Sequence, residues 1–209
     1  MLYKILRKLL SILNPLASRI SCFWLRSAGL QLGKNVKCFG TPLISIWKGS
    51  QIRIGDHTTL RSRSRGNAIG INHPIVFTTL SPEASIEVGA HVGMSGGAIC
   101  AKRRVTIGDY SLLGANVTIA DNDMHPIAPE NRRYANGSAD IAAKDVRIGK
   151  NVWIGADVYI GKGVTIGENS VIGAKSVVTK SLPANCVAAG IPARVIKMLS
   201  GFAGDNAEL

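Results

Sequence analysis

Apolar residues recur at every sixth position through the C-terminal half of the chain. The first positions of these hexads are Ile148, Ile154, Ile160, Ile166, Ile172 and Val178. Glycine follows at Gly149, Gly155, Gly161, Gly167 and Gly173, and the fifth position is Val152, Val158, Val164, Ser170 and Ser176. The same register starts at Ile107, Leu113 and Ile119, with weaker copies at Leu32, Ile54 and Val88. Val88 and Ile107 are 19 residues apart, so one slip of a single residue lies between them. An amphipathic helix repeats at 3.6 residues and cannot carry this pattern. The pattern predicts short strands with a turn every six residues, three strands making one triangular coil. Each aliphatic residue then points inward and stacks on its equivalent one coil away, at about 4.8 Å. Glycine and asparagine tolerate the backbone angles such corners demand.

The first residues follow another period. Leu2, Ile5, Leu6, Leu9, Ile12, Leu13 and Leu16 trace one helical face, with Lys4, Arg7, Lys8, Ser11 and Asn14 on the other. Pro15 is expected to end or kink this helix. A second apolar stretch, Ile20, Phe23, Trp24 and Leu25, lies between Arg19 and Arg26. The expected organisation is therefore a basic amphipathic helical segment over 1–28, a repeat domain over 29–198 and a tail over 199–209.

Composition agrees with a narrow prism: there are 23 glycines and only 5% aromatic residues among 209. The net charge of +12 is concentrated at one end. Residues 1–55 contain Lys4, Arg7, Lys8, Arg19, Arg26, Lys34, Lys37, Lys48 and Arg53 and no carboxylate before Asp56. A basic amphipathic helix followed by aromatics suits peripheral contact with an anionic membrane. The plainer reading is a helix that packs on its own domain or on a partner subunit. No nucleic-acid motif accompanies the charge. The four cysteines, Cys22, Cys38, Cys100 and Cys186, form no CxxC pair, and reduced thiols in a cytoplasmic protein are the expectation. No apolar run reaches the length of a membrane span.

The block NVWIGADVYIGKGVTIGENSVIGAKSVVTKSLP and the string VAAGIPARVI (Val187 to Ile196) resemble the hexapeptide-repeat acyltransferase family. The similarity is to the branch of galactoside and maltose O-acetyltransferases and O-acetyltransferases of surface polysaccharides. It covers residues 85–198 well and 30–84 loosely. It implies an all-β fold, a left-handed parallel β-helix, with the N-terminal helical segment outside the shared core. The left hand comes from the resemblance alone, since the usual crossover rule favours right-handed coils. The resemblance further implies a homotrimer that binds acetyl-CoA between subunits, without a metal. A zinc enzyme of the γ-carbonic anhydrase type needs three converging histidines, and His57, His73, His91 and His125 are too widely spaced for that.

The hexad period fails between Ile119 and Val146, so a loop over about 121–141 is expected to leave the prism. Loops on rigid scaffolds concentrate binding and catalysis. This one carries His125, flanked by Asp121, Asn122, Asp123 and Pro126. A hydroxyl attacking a thioester needs a base, and imidazole is well poised near neutral pH. In the resembling family the loop histidine before proline does this, and His125 holds that position. Asp121 and Asp123 are candidates to orient or support the imidazole, or to cap a turn. Asn122 is expected to contact the acceptor or the loop backbone. Many sugar acetyltransferases of the family carry an asparagine in the preceding coil. Here that stretch is MSGGAI from Met94, with Ser95 as the candidate substitute. His57 and His91 sit inside hexads and are expected at turns, and His73 lies in the irregular stretch after RSRSR.

Ala156 and Ala174 are one coil apart and should stack on one edge, leaving a shallow groove for a pantetheine arm. The resemblance maps coenzyme A contacts onto Ala156, Ala174, Thr179, Lys180 and Arg194, with Lys180 and Arg194 suited to phosphates. It places Trp153 near the active site, as a candidate acceptor contact, with covering the trimer seam as the alternative. The activity implied is acetyl transfer to a sugar hydroxyl, with a surface polysaccharide or its lipid-linked precursor as acceptor. A small xenobiotic or amino acceptor, or a non-catalytic scaffold, is the alternative. The expected location is cytoplasmic, with peripheral contact at the inner membrane face through residues 1–28.

Overall fold

The computed structural model describes residues 2–65, 67–130, 132–134 and 141–200, with side chains from residue 14 onward. Most of the tail lies outside the described residues. The hexads build three parallel sheets that form the faces of a prism. The first sheet contains β1 (Gln31–Leu32), β4 (Gln51–Ile54), β7 (Ser85–Val88), β10 (Arg104–Ile107), β13 (Val146–Ile148) and β16 (Thr165–Ile166). The second contains β2 (Lys37–Phe39), β5 (Thr59–Arg61), β8 (Gly93–Ser95), β11 (Leu112–Ala115), β14 (Trp153–Ile154) and β17 (Val171–Ile172). It ends on β19 (Cys186–Gly190) and β20 (Ala193–Met198). The third contains β3 (Leu43–Ser45), β6 (Val76–Thr79), β9 (Ala98–Ala101), β12 (Thr118–Ala120), β15 (Tyr159–Ile160) and β18 (Val177–Val178). The fold is the left-handed parallel β-helix that the family resemblance implies.

The register confirms the weak upstream hexads. Leu32, Ile54, Val88, Ile107, Ile148 and Ile166 pair successively in one column of the first sheet. Buried aliphatic side chains fill the prism, among them Ile52, Ile86, Val105, Val146, Ile154 and Ile160. Phe77 is the largest fully buried side chain. The fourth hexad position turns the corner between the first and second sheets. There Asn35, His57, His91, Tyr110, Asn151 and Asn169 all adopt positive φ. Stacking along this corner joins His57 to His91 and His91 to Tyr110, with ring centroids 4.7 and 4.8 Å apart. This bears out a turn position for both histidines.

Helix α1 (Leu2–Ser27) is continuous, so Pro15 does not end it. Proline removes one N–H from a helix, and the turns on either side retain theirs. The helix stops in a Schellman motif: Leu30 N–H donates to Leu25 O (3.0 Å) and Gly29 N–H to Arg26 O (2.9 Å), with Gly29 at φ +99°. α1 covers β1 and β2. Ser18 Oγ accepts from Cys38 N (2.8 Å), Ser21 Oγ lies 3.0 Å from Thr41 Oγ1, and Leu25 is fully buried. Cys22 and Cys38 are free thiols with sulfurs 3.6 Å apart. That contact, aided by the Arg26 charge, lowers the Cys22 pKa to about 7, and it raises Cys38.

Among the described residues, no helix is long and apolar enough to cross a membrane.

Candidate active site

The loop that carries His125 leaves the corner between the third and first sheets, after β12 and before β13. A narrow neck closes its base. Asp123 N–H donates to Ala142 O (3.2 Å), Lys144 N–H donates to Asp121 O (2.8 Å), and Asn122 bridges Ala143. The chain then turns sharply at Met124, φ 62°, and His125 N–H donates to Asp123 O at 2.7 Å. His125 is exposed and Pro126 is buried. Beside the imidazole lies an open cavity of about 650 Å³ lined by Pro129, Arg132, Arg133 and Tyr134.

The flanking side chains do not converge on the imidazole. Asp121 is fully buried, and its carboxylate accepts Lys102 N–H and Arg103 N–H, both at 2.7 Å, and the Asn122 amide at 3.0 Å. This is the turn-capping alternative for Asp121. Asn122 is 2% exposed: its Oδ1 accepts Met124 N–H at 2.9 Å, and its amide nitrogen donates to Asp121 Oδ1 and Cys100 Sγ. Asp123 forms an ion pair with Lys162, and its other oxygen is buried without a partner. Among the described residues neither carboxylate hydrogen-bonds the His125 ring. Asp121→Ala is expected to lower stability by about 2–4 kcal/mol, because three donors lose a charged acceptor. Denaturant unfolding measures this, and Asp121→Asn should recover part of it.

Lys162 was not singled out by sequence, yet it clamps the loop base from the next coil. Stacking Ile119 on Ile160, as the hexads require, puts Gly161 and Lys162 over the loop's departure point. Arg132 also escapes the pattern: its guanidinium donates to Pro126 O (3.2 Å) and Ile127 O, holding the turn after His125.

The remaining candidates fall in two other places. Ser95 and Trp153 line a groove of about 380 Å³ on the second sheet, with His57, His91 and Leu112. Trp153 is 56% exposed while Val152 is buried, as expected of a residue on the outer face. Ala156 and Ala174 occupy the corner between the second and third sheets, where Lys175 N–H donates to Ala156 O (2.8 Å). Arg194 joins them: it pairs with Ala189, whose Cβ abuts Gly173. Thr179 and Lys180 lie beyond β18, in the corner column of Lys162. His73 lies between β5 of the second sheet and β6 of the third.

Residues 145–180 match the family model for the bacterial transferase hexapeptide (six repeats). Residues 145–180 thus carry the hexapeptide repeat of that family. Over 96 residues it is 51% identical to the galactoside O-acetyltransferase of Escherichia coli, which is 46% of this chain and 45% of that one. A galactoside acetyltransferase solved in complex with coenzyme A is 32% identical, with a TM-score of 0.52. That match covers 81% of this chain and 64% of the other. A hexapeptide-repeat acetyltransferase of Vibrio cholerae complexed with acetyl coenzyme A is 24% identical, with a TM-score of 0.55. It covers 91% of this chain and 89% of the other, and supports the fold. The chain spans about half the length of the curated relative it matches.

Proposed function

We propose that the chain is an acetyl-CoA-dependent O-acetyltransferase acting on a sugar hydroxyl, with a surface polysaccharide or its lipid-linked precursor as acceptor. The observation that carries this is the division of the candidate residues around the prism. His125 projects from the third-to-first corner, and Ser95 and Trp153 lie on the second sheet, the face opposite that corner. One chain cannot bring them together. A cyclic homotrimer of parallel prisms does, because the loop corner of one subunit meets the second-sheet side of the next. The same packing unites Thr179 and Lys180 with a neighbour's Ala156, Ala174 and Arg194.

These residues fit the donor. Ala156 and Ala174 present nothing beyond Cβ along the corner, which leaves room for an extended arm. Lys180 and Arg194 are exposed cations suited to phosphate oxygens. Acetyl-CoA supplies an acyl group activated as a thioester. His125 takes the acceptor hydroxyl's proton while the oxygen bonds to the acyl carbon. It returns the proton to sulfur as the carbon–sulfur bond breaks. The Lys162–Asp123 pair and the Arg132 contacts hold the imidazole's loop in place for this step.

The test is transfer from labelled acetyl-CoA to a panel of free sugars, nucleotide sugars and lipid-linked saccharides. Labelled ester in at least one saccharide is expected, at a rate well above the same mixture without protein. Labelled amide in an amino acceptor, with no ester, would replace this reading.

A further inference from the structure

Helix α1 is mounted inside out. Its inward face carries Ser18, Ser21, Cys22 and Leu25, whose contacts with the first coil are described above. Its outward face carries Leu16, Ile20, Phe23 and Trp24, spaced i, i+4, i+7 and i+8 along one stripe. These four side chains are 56%, 53%, 68% and 64% exposed. A helix that merely closes the end of a prism buries its apolar stripe. This one turns small and polar groups to the prism and its largest apolar groups to the outside. Leu2, Ile5, Leu9 and Ile12 continue the same sequence period.

The charge beside the stripe has one sign. Between α1 and the first coil runs a groove of about 900 Å³, lined by Ser18, Arg19, Arg26, Asn35, Lys37 and His57 and by no carboxylate. Arg19 stands between this groove and Phe23 on the helix surface. Lys34 and Lys37 add exposed positive charge from the same coil. An apolar stripe with an indole, bordered by cations on a helix lying along a protein surface, matches an interface of acyl chains and anionic headgroups.

We infer that α1 docks the protein on an anionic phospholipid surface. Leu16, Ile20, Phe23 and Trp24 enter the headgroup–acyl boundary, and Arg19, Arg26 and Lys37 bind headgroup phosphates along the groove. This stands whether or not the chain transfers acetyl groups. In an oligomer the helix is repeated, so modest single contacts combine. A second copy of the chain covering the stripe is the competing occupant, and one experiment separates the two.

The full chain is sedimented with vesicles of phosphatidylcholine alone and of phosphatidylcholine mixed with phosphatidylglycerol. Binding is expected to the mixed vesicles and to weaken with salt. Replacing both apolar groups, Phe23→Ser with Trp24→Ser, should lower the partition constant roughly 10²-fold. Arg19→Glu should lower it roughly tenfold. All three side chains point away from the core, so the melting temperature should hold. Brominated acyl chains should quench the fluorescence of the parent chain, and Trp24→Phe should abolish that quenching while leaving vesicle binding. No sedimentation of the parent chain with mixed vesicles overturns the inference, as does unchanged binding by the double variant. A lower oligomer mass for the double variant in sedimentation velocity, with no vesicle binding by the parent chain, assigns the stripe to a subunit seam instead.

Discussion

His125→Ala is expected to reduce acetyl transfer by roughly 10²–10⁴-fold, the range general-base removal commonly produces. The fold should be unaffected, because the imidazole is exposed on a loop outside the prism. Oligomer mass and melting temperature should match the parent protein. The composite site adds a sharper result. If His125 of one subunit serves the Ser95 and Trp153 face of the next, His125→Ala and Trp153→Ala chains are defective for different halves. Co-expressed, they should recover activity in mixed oligomers, where some interfaces carry both intact halves. Each variant alone should remain low. Full activity in His125→Ala would remove the proposed base. Mixed oligomers no more active than the separate variants would place the whole site within one chain.

Gly97→Ala is expected to be the most damaging single methyl group in the prism. Gly97 sits in the turn between β8 and β9 at φ +80°, where an L side chain is strained. A Cβ there would fall 2.1 Å from Val117 O and 2.8 Å from Val117 N, backbone atoms of the next coil. Those atoms are held by the ladder that joins β9 to β12 and cannot step aside. Backbone strain and overpacking together should cost on the order of 3–5 kcal/mol. For a chain of this size the apparent melting temperature should fall by about 10 °C. Gly70→Ala is the control, since a Cβ at Gly70 meets nothing within 4 Å although φ is +75°. If the two variants melt together, strain alone sets the cost and the close approach is irrelevant. The close approach to Val117 leaves no room for a side chain at Gly97.

The repeat made most of the fold legible. An inward aliphatic residue every six positions leaves few ways to stack strands, so even the weak hexads at Leu32, Ile54 and Val88 lie in the predicted column. His125 was legible because the period breaks around it. Asp121 and Asn122 were less so. Spacing along a loop says nothing of which carboxylate turns back to cap the coil beneath, and Asp121 does so through bonds to residues 18 and 19 positions earlier. Lys162 was hidden because a lysine in an exposed hexad position reads as ordinary surface charge until the coils are laid over one another. Pro15 misled because one missing N–H costs less than helix termination when both flanking segments favour the helix. The direction of the apolar stripe on α1 could not be read from periodicity, which gives a face but not what that face meets.

The two ends of the prism carry a further consequence. Stacked parallel strands leave raw edges at the first and last coils, and such edges template addition of another chain. Here α1 lies over β1 and β2 at one end. At the other, β20 folds back antiparallel on β19 and puts Arg194 and Lys197 on the outer strand. Both closures act as stoppers against end-to-end polymerisation. Cutting away α1 to study its role would therefore uncork the column, uncovering Cys38, which meets Ser18 and Cys22 of the helix, and the edges of the first coil. Point changes on the outer stripe leave that seal intact.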